Sequence, residues 1–192
     1  GIFEIHDANI IFNELHYDSV YHEHLCFFTL KSITYLLNKF NLYPFEIKKS
    51  PISGGSFVIY FSKKKNVVSK ELELAMVNEE NSRINNIESW KKFALKVEDH
   101  KEKMQEILSN YSTKKIVGFG SSARSQTFLN YCNFNEKNID MIIDNNSMKQ
   151  NLYSPGTNIK IVDFKTGINF HPDVIFILAW NFKDEIINLC KS

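Results

Sequence analysis

The sequence predicts an α/β protein: a small parallel sheet in the C-terminal half, preceded by an α+β region and a long connecting helix. Three observations carry this. From about residue 114, short apolar runs alternate with helical spacings, the order that gives parallel strands joined by right-handed crossovers. The turn Gly118-Phe119-Gly120-Ser121-Ser122-Ala123 lies between the first of those runs and the first of those helices. The run Asp173 to Ala179 is nearly all apolar, as a strand covered on both faces must be.

The chain divides by pattern into an α+β region over 1–69, a connecting helix over 70–113 and a sheet domain over 114–192. Gly1 to Ile5 reads as a strand entered without lead-in, as in a piece of a longer protein, and Asn9 to Leu15 as a short helix. Leu30, Ile33, Leu36, Leu37 and Phe40 repeat at helical spacing behind Thr29, which suits an N-cap. Phe45 to Lys48 and Ser56 to Ser62 read as strands, separated by the breaker-rich Pro51 to Ser56. In the connector, Trp90, Phe93, Val97, Met104, Ile107 and Leu108 make the apolar stripe of one amphipathic helix, a scaffold feature. Beyond it, strands are expected at Lys115 to Phe119, Ile139 to Ile143, Ile159 to Val162 and Asp173 to Ala179. Helices are expected at Ala123 to Tyr131 and Asp184 to Cys190.

Composition removes several classes of function. With 43% hydrophobic and 23% charged residues the chain reads as an ordinary soluble globular protein. Its net charge of +1 leaves no electrostatic footprint for nucleic acid or an anionic membrane, and Lys48-Lys49 and Lys63-Lys64-Lys65 read as solvated turns. Cys26, Cys132 and Cys190 are odd in number and far apart, which argues against disulfides or structural zinc and for a reducing compartment. No apolar run approaches the roughly 18 residues needed to span a bilayer, and no signal peptide is evident. A cytoplasmic protein without nucleic-acid or membrane partners is expected.

Two clusters carry chemistry. Tyr21-His22-Glu23-His24 sets a phenol, a carboxylate and two imidazoles at adjacent positions, and imidazole exchanges protons near neutral pH. The second is the glycine turn, which fits G-x-G-x-x-A between a strand and a helix. There Gly118, Gly120, Ser121 and Ser122 would let the backbone approach a phosphate at the helix N-terminus. Arg124 in the first helical turn and Lys149 in the polar loop Asn145 to Gly156 are candidate phosphate contacts. Asp144, 24 residues after Gly120, stands where an acid takes a ribose hydroxyl, and Asn181 follows the last strand at the same sheet edge. A tight turn that merely needs glycine is the competing reading. NAD, S-adenosylmethionine and a sugar nucleotide all suit such a turn, although four strands are half of a doubly wound dinucleotide fold.

Taken in order, Tyr21-His22-Glu23-His24-Leu25, Gly54-Gly55-Ser56, the Gly118 turn leading to Thr127 through Cys132, Ile143-Asp144-Asn145-Asn146, Lys149-Gln150, Pro155-Gly156-Thr157 and Ile177 through Phe182 resemble a known family. It is the C-terminal half of S-adenosylmethionine-dependent C-methyltransferases acting on nucleoside-diphosphate keto-sugars. The resemblance spans nearly the whole chain. It implies a Rossmann-like substrate-nucleotide domain over 114–192, with Gly118, Gly120, Ser121, Ser122, Arg124, Asp144, Lys149 and Asn181 on the nucleotide. It further implies His24 as the base, with Tyr21 on the substrate or developing oxyanion and Glu23 orienting the imidazole. S-adenosylmethionine is the implied cofactor, and the domain that binds it is expected to be missing here, leaving the chain inactive alone. Relatives carry a basic residue where Val58 stands and Pro-Ala-Lys-Gly-Asn where Ser122 to Gln126 stand.

Three other readings compete. The chain is a degenerate relative that binds a nucleotide or partner without chemistry; or His22 and His24, with His16 or His6, bind a metal; or it is an NAD-dependent oxidoreductase, which wants a second nucleotide half.

Overall fold

The computed structural model describes residues 1–191; Ser192, the last residue of the expected sheet domain, lies outside them. The chain forms two compact units. The first holds Gly1–Tyr17 and His22–Val97, and the second holds Asp18–Tyr21 and Glu98–Ser192.

The first unit is built on an antiparallel sheet. Strands β1 (Ile2–His6), β2 (Tyr43–Ser50) and β3 (Ser56–Ser62) lie in the order β1-β3-β2. Phe57 and Ile59 alternate with the more exposed Val58 and Tyr60, so one face is apolar and takes the helices. Helix α1 (Ala8–Glu14) is capped by Asp7, whose carboxylate accepts the Asn9 N–H. Helix α2 (Leu30–Lys39) opens on a capping box between Thr29 and Ser32 and buries Leu30, Ile33 and Leu37 against Ile47, Phe57, Ile59 and Leu72. Leu36 and Phe40, included in the expected stripe, instead face outward.

The stripe from Trp90 to Leu108 forms one long helix as its spacing predicts, but that helix does not fill the connector, which holds two helices, α3 (Lys70–Ser82) and α4 (Ile87–Ser109). The break has a local cause. Arg83 adopts a left-handed φ of 56° as the cap of α3, and Asn86 Oδ1 takes the Glu88 N–H at 2.9 Å to start α4. Ile84, fully buried, lies in the turn, and its carbonyl accepts the Trp90 indole N–H at 2.7 Å. Glu79, buried near the end of α3, accepts the Leu30 and Lys31 N–H groups at 2.5 and 3.0 Å and so caps α2. The apolar stripe is scaffold: Trp90 and Phe93 pack with Phe12 in the first unit, and Met104 and Leu108 join the core of the second.

The second unit is a four-stranded parallel sheet in the order β6-β5-β4-β7, from β4 (Ile116–Phe119), β5 (Met141–Ile143), β6 (Ile161–Val162) and β7 (Val174–Ile177). Successive residues face opposite cores. Ile116 and Ile142 lie with Leu129, Cys132 and Leu178, whereas Val117 and Ile143 lie with Val162, Ala179 and Ile186. Both faces are covered, as expected for parallel strands. Helices α5 (Ala123–Tyr131), α6 (Phe164–Asn169) and α7 (Lys183–Lys191) complete the unit, α6 having no counterpart in the expected elements. The strands are shorter than the apolar runs. Ile139 and Ile159 are fully buried but lie in irregular chain ahead of β5 and β6, Ile159 giving its N–H to Ser154 Oγ at 3.0 Å. No helix among the described residues is long and apolar enough to cross a membrane.

Candidate functional site

Strand β4 starts the sheet from its middle. The chain then builds β5 and β6 on one side and returns to place β7 on the other, so the order reverses between β4 and β7. In open α/β sheets the crevice outside the carboxyl ends at such a reversal is where ligands bind.

A pocket of about 530 Å³ occupies that place. Phe119, Gly120 and Ser122 line it from the end of β4, Ala179 and Phe182 from the end of β7, and Asp144, Asn145 and Lys149 from the end of β5; Glu185, Ile186 and Leu189 of α7 complete it. Its lining combines apolar side chains (Phe119, Ala179, Phe182, Ile186, Leu189) with polar ones (Ser122, Asp144, Asn145, Lys149, Glu185). The volume is that of a small-molecule site.

The structure brings four of the eight expected substrate residues, Gly120, Ser122, Asp144 and Lys149, to this pocket. Gly118 lies buried within β4, where a β-carbon would meet Leu178 Cδ1 at 2.8 Å. Ser121 is buried behind the turn, and Asn181 is exposed in the short 3-10 turn Trp180–Phe182. Arg124 faces Asp18, with Nε–Oδ2 at 2.9 Å and Nη2–Oδ1 at 2.8 Å.

The turn is bonded to its own chain. Gly120 N–H donates to the Ile143 carbonyl and Ser121 N–H to Asp144 Oδ2, each at 2.8 Å, and Ser122 N–H to Ser125 Oγ at 3.3 Å. Lys149 Nζ donates to the Ser121 carbonyl at 2.8 Å and lies 3.4 Å from Asp144 Oδ2. Asp144 is therefore a brace joining the turn to the polar loop, as well as part of the pocket wall. Its second oxygen accepts the Asn146 N–H at 2.8 Å.

The Tyr-His-Glu-His segment follows the short turn Tyr17–Ser19. Tyr21 is half-buried in the second unit and gives its N–H to the Ser19 carbonyl at 3.2 Å. His22 and Glu23 are exposed, and His24 is half-buried in the first unit, its ring 5.9 Å from those of both His6 and Phe27. His22 and His24 lie in a turn and the coil after it, so the shared strand face needed to pair them on a metal is missing. Among the described residues no three His, Cys, Asp or Glu side chains are grouped to hold a metal ion.

The sequence reading missed Asp18, Trp180 and the α7 residues. Ile186 and Leu189, three apart on an amphipathic final helix, were the available signal for α7. Asp18 carried none, because its partners lie more than a hundred residues away.

Comparison with known proteins agrees with this architecture. A family described as the C-methyltransferase C-terminal domain matches residues 51–191. The chain is also similar to the C-methyltransferase NovU of Streptomyces niveus, at 26% identity over 178 residues, covering 90% of this chain and 42% of that protein. With a Rossmann-like parallel sheet, a pocket at its order reversal and a match over most of its length, the chain belongs to the C-methyltransferase C-terminal domain family.

Proposed function

We propose that this chain is the substrate-binding and catalytic half of a C-methyltransferase acting on a nucleoside-diphosphate keto-sugar. The observation that carries the reading is the pocket at the reversal of strand order. Phe119, Phe182, Ile186 and Leu189 offer apolar surface for a nucleobase, and Ser122, Asn145 and Lys149 offer polar groups in the same lining.

His24 is the base in this reading. It takes the proton from the carbon beside the sugar ketone, the C–H electron pair passes into the enolate, and Tyr21 donates a hydrogen bond to the developing oxyanion. Glu23 orients the imidazole. The enolate carbon is then the nucleophile for the methyl group, which S-adenosylmethionine supplies when bound. The Gly118 turn does not fit that donor, since the amides of Gly120, Ser121 and Ser122 are bonded within the chain.

A binding module without chemistry is the second reading, and the exposure of His22 and Glu23 favours it. Two measurements decide. Calorimetric titration with deoxythymidine diphosphate should show binding to this chain and at least about tenfold weaker binding to Leu189→Trp, which fills the pocket. In the full-length protein, solvent-deuterium exchange beside the ketone should fall about 10²- to 10⁴-fold in His24→Gln. Absence of nucleotide binding would overturn the substrate reading, and exchange unaffected in His24→Gln would leave the binding module.

A further inference from the structure

The segment carrying Tyr21 is anchored by a buried ion pair that the proposed chemistry does not use. Asp18 is 7% exposed, and its two oxygens each take one N–H of the Arg124 guanidinium. Trp180 Nε1–H adds a third bond, to Asp18 Oδ2 at 2.9 Å, and the Arg124 guanidinium lies 4.6 Å over the Trp180 ring. These residues come from three distant parts of the chain, and all three belong to the second unit.

Stability alone does not explain such a cluster. Removing two charges from water is costly, and an apolar cluster of equal volume is often as stable. What a bidentate pair adds is geometry, because the planar fork fixes the carboxylate in both distance and angle. The location sharpens the point. Arg124 sits in the first turn of α5, where the helix dipole disfavours a cation, and Asp18 compensates it there. The anion over that turn is thus a side chain of the Tyr21 segment.

Both partners of Asp18 adjoin residues that line the pocket. Arg124 follows Ser122 by two residues, and Trp180 lies between Ala179 and Phe182, all three pocket residues. From Asp18 the chain runs through Ser19, 1% exposed, to Tyr21, whose N–H is bonded to the Ser19 carbonyl. We propose that Asp18 is the positioning residue for Tyr21: clasped by Arg124 and Trp180, it ties the Tyr21 segment to the start of α5 and to the turn after β7, both next to the pocket lining. This rests on the reading that Tyr21 meets the substrate.

The test uses the full-length protein with 3-fluorotyrosine incorporated and the Tyr21 fluorine signal assigned by its loss in Tyr21→Phe. Asp18→Asn removes the charge at constant shape, and Trp180→Phe removes one bond while leaving the ion pair. Both should shift or broaden the Tyr21 signal. Asp18→Asn should lower kcat for keto-sugar deuterium exchange about 10- to 100-fold, with KM and deoxythymidine diphosphate affinity within about threefold of wild type. Arg124→Lys should retain more activity than Arg124→Ala. An unchanged Tyr21 signal and kcat in Asp18→Asn would overturn the proposal. So would a loss of kcat matched by equal losses of nucleotide affinity and thermal midpoint, which marks a purely structural pair. If wild type shows neither nucleotide binding nor exchange while Asp18→Asn still moves the Tyr21 signal, the functional reading fails and the anchoring of Tyr21 stands.

Discussion

Gly120 faces Ala179 so closely that a β-carbon at position 120 would lie 2.4 Å from the Ala179 β-carbon and 3.2 Å from its backbone nitrogen. Gly120 also holds a φ of 95°, which side-chain-bearing residues rarely adopt. The glycine is required by the approach of the β4 and β7 loops to each other, whatever the pocket binds. Gly120→Ala should destabilise the protein by about 2–4 kcal/mol in denaturant titration. Ala179→Gly should fail to restore it, because the positive φ remains. A Gly120→Ala variant within about 0.5 kcal/mol of wild type would mean that the two loops part easily.

Asp144 is expected to act first as a brace. Its carboxylate holds the Ser121 N–H, the Asn146 N–H and the Lys149 ammonium, and Gln150 Nε2 donates to its carbonyl at 3.0 Å. Asp144→Ala should cost about 1–3 kcal/mol, and Asp144→Asn less, since one oxygen remains to accept. Proteolysis within Asn145–Gly156 should accelerate in Asp144→Ala and stay near wild type in Asp144→Asn. Equal unfolding midpoints for all three proteins would show that the loop is held by other contacts.

The fold was largely legible because its signals are local. Strand β3 and helix α5 follow directly from a β-branched and aromatic run and from a turn that needs glycine, and the parallel order follows from the alternation of elements. The failures share a cause: burial without regular structure. Ile84, Ile139 and Ile159 are fully buried yet lie outside every helix and strand, so the apolar pattern overran the true ends of these elements. At the site, adjacency in sequence exposed Tyr21 through His24, whereas the Asp18 cluster exists only after residues 18, 124 and 180 are folded together. Arg124 illustrates the limit. Its charge beside a glycine turn invites a phosphate, and the folded chain presents it with Asp18.

Arg83 offers a test of the helix break. It caps α3 at a φ of 56°, a conformation that costs a residue with a β-carbon about 1 kcal/mol and glycine almost nothing. Its side chain is exposed, so little packing is lost on removal. Arg83→Gly should raise stability by about 0.5–1 kcal/mol, read as a higher urea midpoint with unchanged slope. Were α3 and α4 one continuous helix in solution, the same substitution would lower stability by a similar amount, as glycine does in a helix interior. The sign alone decides.

Asp7 ties stability to pH. It is 2% exposed, and burial pushes its carboxyl up to about 6 from 3.8, Glu79 adding to the rise while the Asn9 N–H bond opposes it. The folded chain thus holds this proton more tightly than the unfolded chain. Its contribution is fully present below about pH 4 and is lost as pH rises through about 6, leaving a constant penalty above. Asp7→Asn removes the ionisation and keeps an oxygen for the Asn9 N–H, and Asn caps helices as well as Asp does. Relative to wild type, Asp7→Asn should therefore gain on the order of 1–3 kcal/mol between pH 4 and pH 8, most of it between pH 4 and 6.5. Urea unfolding at five pH values across that range measures the difference. A gap between the two proteins that stays flat with pH would mean that Asp7 ionises without penalty, so that solvent or a neighbouring charge reaches it when it does.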